Sequence, residues 1–196
     1  MKKTEKNRKN KRILIAGIAA TGVAVLCIVL AILSARTKIN PPINKLPDDY
    51  SLEDAKSDGY VIYENQDISQ GQEKWDKFLK TSQAGKPCAV RLVFSEKNAK
   101  LKIYDLSYNG KEYTLKFMEK DKLVSETYLY LLKSEEIPPI ASISSIEKRI
   151  IYFLADDPNL TWKQAYQSTM NEQVSGTKAY RYFRVYCNSI YKPAEN

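Results

Sequence analysis

From Ile13 to Ala35 the chain runs 23 residues without a charge, and beyond that stretch its apolar positions break into short periodic groups. A helix of that length measures ~34 Å at ~1.5 Å per residue, enough for a hydrocarbon core of roughly 30 Å, so residues 13–35 are expected to cross a bilayer once. A cleaved signal peptide fits less well. Its apolar core is usually about 7–15 residues long, and cutting after Ala35 would put Leu33 where a small residue is preferred. Further on, Ser51 with Asp54, Ser69 with Gln72 and Thr161 with Gln164 each pair a hydroxyl with an acid or amide three residues later, a helix-start signature. The second predicts a helix with Trp75, Phe78 and Leu79 on one face, ending near Gly85. The third predicts one with Trp162, Ala165, Tyr166 and Met170 on one face, ending near Gly176. The first is short and stops by Gly59.

Elsewhere the period is two. Cys88, Val90, Leu92 and Phe94 alternate with Ala89, Arg91 and Val93, and Phe183, Val185 and Cys187 with Tyr182, Arg184 and Tyr186, so both segments read as half-buried strands. Asn109-Gly110 predicts a two-residue hairpin turn with Leu106 facing Tyr113 and Tyr104 facing Leu115. One more strand is expected over Leu123 to Leu132, and Ile150 to Leu154 reads as a strand buried on both faces. The fold class predicted is α+β, an antiparallel sheet with two or three helices packed on one side, preceded by a single N-terminal transmembrane helix. The organisation predicted is a basic cytoplasmic tail (1–12), the transmembrane helix (13–35), an extended stalk around Pro41-Pro42 (36–46) and an extracytoplasmic α+β domain (47–196). The stalk's 11 residues reach at most ~35 Å.

Charge sharpens the topology. The formal net charge is +8, but residues 1–12 hold seven Lys or Arg against one acid, and the other 184 residues carry only +2. The basicity is therefore a signal that keeps the N-terminus in the cytoplasm. It is no footprint for nucleic acid, which is not an expected partner.

Candidate chemistry is narrowed by what the chain lacks. With no histidine in 196 residues, Ser-His-Asp and Cys-His catalysis and His-containing zinc sites are excluded. No Gly-rich phosphate loop is present. An S-x-x-K spacing occurs at Ser145–Lys148, Ser175–Lys178 and Ser189–Lys192, but without the companion motifs of a Ser-Lys enzyme. Asp156, Asp157 and Asn159 offer oxygen ligands without the spacing of a calcium loop, and solvated turns and a helix start explain them better. No catalytic, metal or cofactor site is assigned. Cys88 and Cys187 each stand in phase with the apolar side of a strand, and either a disulfide or two separate buried thiols would satisfy that pattern. Fourteen tyrosines suit the pleated surface of strands, while Tyr180, Tyr182 and Tyr186 form the candidate aromatic contact surface.

The opening Tyr50-Ser51-Leu52-Glu53-Asp54-Ala55, the Gln72–Trp75–Phe78 helix, the AVRLVF strand, the Asp105–Gly110 hairpin and the helix start Asn159-Leu160-Thr161-Trp162 carry a resemblance. Over residues 46–187 the chain resembles an uncharacterised domain of secreted proteins and lipoproteins of Firmicutes. That resemblance implies a bacterial cell-envelope setting and brings no catalytic residues. The lipoprotein attachment does not carry over, because Cys27 follows Leu26 inside the apolar run. The function expected is a membrane-anchored, non-catalytic binding or accessory module, meeting the bilayer through residues 13–35 and an envelope protein or cell-wall glycan through its domain. The alternatives are an assembly component of a conjugation or secretion complex and a small membrane-tethered enzyme without histidine.

Overall fold

A computed structural model describes residues 39–64, 67–97, 99–136, 146–170 and 180–191, with backbone only at 146–147, 169–170 and 186–191. The expected ends of the first helix and of the Gln72 helix fall within these residues. The apolar run 13–35, the S-x-x-K serines at 145 and 175, and Gly176 lie outside them. From Ile39 on the chain forms one unit.

The fold is α+β, with two sheets rather than the expected one. Strands β1 (Val61–Glu64), β2 (Asp67–Gln70), β3 (Cys88–Ser95), β4 (Lys102–Tyr108), β5 (Tyr113–Glu119) and β6 (Lys122–Tyr128) form a sheet in the order β2-β1-β3-β4-β5-β6. Strands β7 (Tyr130–Glu136), β8 (Ile146–Ala155) and β9 (Tyr182–Tyr191) form a second sheet in chain order. The larger sheet is mixed, because β1 runs parallel to β3 with Val61 beside Leu92, while its other pairs are antiparallel. A parallel neighbour needs a long crossover, and β2 with the following helix supplies it. At four residues each, β1 and β2 are too short to show a clear period.

Among the described residues there are three α-helices. Helix α1 (Leu52–Ser57) opens with the expected capping box: the Asp54 N–H donates to the Ser51 hydroxyl at 3.2 Å and the Ser51 N–H to the Asp54 carboxylate at 2.9 Å. Helix α3 (Trp162–Met170) opens the same way, with the Gln164 N–H donating to the Thr161 hydroxyl at 3.3 Å and the Thr161 N–H to the Gln164 side chain at 3.0 Å. Helix α2 (Gln72–Gln83) departs from the expectation at its start. Ser69 remains in β2, its hydroxyl donating to Glu64 at 2.6 Å, and Gly71 is the N-cap at φ +82°. A Cβ there would stand 2.8 Å from the Tyr60 carbonyl oxygen, so the closeness of the α1–β1 backbone, rather than a capping side chain, selects this residue.

Along β1 and β3 the larger sheet is covered on both faces, which corrects the reading of β3 as half-buried. On one face Trp75 and Phe78 of α2, together with Leu154 and Val185 of the small sheet, pack on Val90, Leu92, Leu106 and Leu115. On the other face Ile62 and Val93 pack against Ala55, Leu52 and Tyr50 of the N-terminal segment. Helices therefore lie on both sides. Strand β8 is buried on both faces as its apolar run predicts, with Leu154 in the main core and Ile151, Phe153 and Ala155 against Leu160, Trp162 and Ala165. On α3, Trp162 and Ala165 are buried as read, whereas Tyr166 is exposed.

Two connections differ from their sequence reading. Strand pairing sets Tyr108 opposite Tyr113, Leu106 opposite Leu115 and Tyr104 opposite Phe117, so Asn109-Gly110 belongs to a four-residue loop. The Asn109 side-chain oxygen accepts from the Lys111 and Glu112 N–H groups and closes the loop as an Asx turn. The register moves by two residues, a full period, so every side chain keeps its expected face. The stretch Leu123–Leu132 is broken at Leu129, where the chain leaves the first sheet for the second.

Candidate functional site

The described residues form an open groove of about 460 Å³ beside the uncovered half of the larger sheet. Its size falls within the range of small-molecule sites. One wall is the N-terminal segment, where Ile43 begins a 3-10 turn (Ile43–Lys45) and Leu46 and Tyr50 follow. The opposite wall is the β5–β6 hairpin, with Met118, Lys120 and Asp121. Ile103 lines it from the start of β4, and Lys100 and Leu101 from the loop before it. Its lining mixes aliphatic and aromatic side chains with lysines and aspartates.

The N-terminal wall is held in place by a buried ion pair. Arg91 and Asp105 are cross-strand partners on β3 and β4, and the Arg91 side chain has no exposed surface. Its Nε donates to Asp105 Oδ1 at 2.6 Å and its Nη2 to Asp105 Oδ2 at 2.8 Å. The guanidinium also donates to the Pro41 carbonyl oxygen at 2.7 Å and to the Tyr60 hydroxyl at 3.2 Å, and lies 4.9 Å from the Tyr60 ring centre. Tyr60 in turn donates to the Asn40 carbonyl oxygen at 3.1 Å. Burial opposes the charge on Arg91, but the bonds and charge of Asp105 outweigh it and hold the guanidinium's pKa above its usual value. Residues 40–46, within the segment expected as stalk, are thereby part of the fold. Desolvation, then a 2.7 Å bond to Asp58, raises the pKa of the Tyr50 hydroxyl well above the usual tyrosine range, so at the groove it is a neutral donor.

The opposite wall contains an unusual turn. Glu119 pairs with Lys122, leaving Lys120 and Asp121 as a two-residue hairpin loop, with φ +47° and +62°. Two-residue loops of this kind favour Asn-Gly, because both central residues need positive φ. Here a lysine and an aspartate occupy those positions beside the groove, a local cost of about 1 kcal/mol or more for the lysine.

The residues singled out in the sequence lie elsewhere. Tyr180 and Tyr182 are half-buried against the Phe153–Trp162 core, Tyr182 edge-on to Trp162 at 5.7 Å, so their rings serve packing. The side chain of Tyr186 lies outside the described residues. Cys88 begins β3 as a free, buried thiol donating to the Phe78 carbonyl oxygen at 3.7 Å, and burial pushes its pKa up to about 11. Cys187 is on β9 opposite Ile151, in the other sheet, with its side chain outside the described residues. Lys148 is on strand β8 and not on a helix, and Ser145 lies outside the described residues. Asp156 accepts from the Leu129 N–H at 3.3 Å and pairs with Arg181 at 3.4 Å, while Asp157 accepts from the Asn159 N–H at 2.9 Å. Those carboxylates serve turns and an ion pair.

Among the described residues no cluster of three or more Cys, Asp or Glu is arranged to hold a metal ion, and no helix is long and apolar enough to cross a membrane. The groove went unread in the sequence because its walls come from three separated segments. Its one visible trace was a charge of opposite sign at the centre of each of two apolar strands, Arg91 in AVRLVF and Asp105 in KIYDLSY. The chain matches no protein-family model, no curated protein and no solved structure.

Proposed function

We propose that the chain is a single-pass membrane protein of a bacterial cell envelope, with residues 1–12 in the cytoplasm, 13–35 in the bilayer and an extracytoplasmic, non-catalytic binding or accessory domain. The observation that carries the binding role is the groove, built between the 43–50 segment and the β5–β6 hairpin and backed by the buried Arg91–Asp105 pair. The uncharged run 13–35 with its basic flank supports the anchor. The envelope setting is proposed on the sequence resemblance of residues 46–187 to the Firmicutes domain alone, since no family model matches the chain. Anchoring raises the effective concentration of the domain at the membrane, so a shallow site of modest affinity is sufficient.

The reading as an assembly component has one observation in its favour: Leu129 and Tyr130, at the bend between the sheets, are both exposed.

Crosslinking of the full-length chain in intact cells tests these roles, with photoreactive residues at Ile103 in the groove and at Tyr130 on the bend. Specific adducts at Ile103 are expected. Adducts confined to Tyr130 would replace the groove reading with the assembly reading. Removal of the domain by external protease, leaving the tail protected, is expected from the topology; a domain protected on intact cells would overturn it.

A further inference from the structure

Beside the groove, the turn end of the β5–β6 hairpin exposes apolar surface. Met118 and Leu123 are direct cross-strand partners and are 41% and 44% exposed. Leu115 of β5 faces the main core, so by strand alternation Lys116 and Met118 face the opposite, uncovered side. Around them residues 96–102 and 116–122 carry six cations against three acids, and every cation is a lysine. One of the acids, Glu96, is paired with Lys102 at 3.0 Å. Lys100 and Lys120 line the groove and make no ion pair among the described residues, and Asp48 and Asp121 line it with them.

This composition discriminates between partners. Protein interfaces favour arginine and aromatic residues and are depleted in lysine. A bilayer surface suits lysine, whose stem lies along apolar neighbours while its ammonium reaches headgroup phosphates. The strained lysine at the hairpin apex keeps one such side chain in the lining of the groove, where a left-handed position would ordinarily select glycine or asparagine.

We propose that the hairpin tip and the groove behind it dock on anionic phospholipid, with the phosphate on Lys100 and Lys120 and the acyl region against Met118 and Leu123. The inference rests on the membrane-anchored reading for its local concentration and on the tip alone for its chemistry. Each lysine near an anionic surface contributes roughly fivefold to affinity, and salt screens the effect.

Hydrogen exchange of the full-length chain with excess lipid nanodiscs tests it. The amides of residues 116–124 are expected to exchange severalfold more slowly with discs containing phosphatidylglycerol than with discs of phosphatidylcholine alone, while those of α3 do not change. The double variant K100E/K120E and high salt should each abolish the difference, and M118S/L123S should reduce the protection. Equal exchange with the two lipids overturns the proposal. Protection by soluble polyglutamate but not by the discs also overturns it and assigns the tip to an acidic protein. Retention on discs after a high-salt wash reports separately on residues 13–35. Because the discs are in excess, docking is read whether or not the chain inserts.

Discussion

Lys120 shows how a single dihedral angle can oppose stability to use. At φ +47° its side chain is held in a conformation that glycine adopts freely, so K120G is expected to raise unfolding stability by up to about 1 kcal/mol, read from the urea midpoint. Because Lys120 lines the groove, the same change is expected to weaken the lipid protection proposed above as stability improves. Cys88 is the converse case, a residue whose burial silences it. With its pKa pushed from 9.0 to about 11, the thiol stays protonated at neutral pH and is expected to resist iodoacetamide until the domain unfolds. The sign of the linkage follows from the raised folded value. The contribution is complete below pH 9.0 and is lost as pH rises towards about 11, so the Cys88→Ala variant should show a flatter stability profile over that window.

Individual elements differ in how openly their sequence announces them. Helices α1 and α3 are declared by short-range hydrogen bonds, Ser51 with Asp54 and Thr161 with Gln164, and such local chemistry is readable without tertiary information. The start of α2 is set by the backbone at Tyr60 and Val61 crowding Gly71, a contact between segments that a local pattern does not contain. The hairpin turns make the same point twice. The favoured Asn109-Gly110 pair sits in a longer Asx-turn loop, while an unfavoured Lys120-Asp121 pair makes the two-residue turn, because sheet register outweighs turn preference. The Arg91–Asp105 pair belongs to this scale too, since it joins two strands to the N-terminal segment. Removing one partner leaves a buried charge uncompensated, so D105A is expected to cost about 3–5 kcal/mol. Hydrogen exchange should show the amides of residues 43–50 opening in that variant at denaturant concentrations where β3 is still protected.

For the molecule as a whole, the α+β class and the core faces were legible from period and composition, whereas the division into two sheets was not. The apolar pattern from Leu123 to Leu132 looks continuous because both sheets need alternation, and the bend at Leu129 leaves no mark on a period of two. Arg181 fastens the two sheets at that bend. It donates to the Thr127 carbonyl oxygen, stands 4.3 Å above the Tyr128 ring and pairs with Asp156 at 3.4 Å. R181A is expected to cost about 1–2 kcal/mol, because the site is half exposed and each contact is modest. If the sheets unfold as one, a single denaturation transition should persist at a lower midpoint; a second transition would show that the clasp is what makes them cooperative.

The attachment of Asn40 and Pro41 to Arg91 also has a mechanical meaning. A pull transmitted along the chain from its N-terminal side reaches the domain at those two residues. Through the guanidinium it enters β3, a strand flanked by β1 and β4, instead of an edge strand that could be peeled away one hydrogen bond at a time. The load is then shared by two neighbouring strands, an arrangement that would keep the groove intact under such a pull.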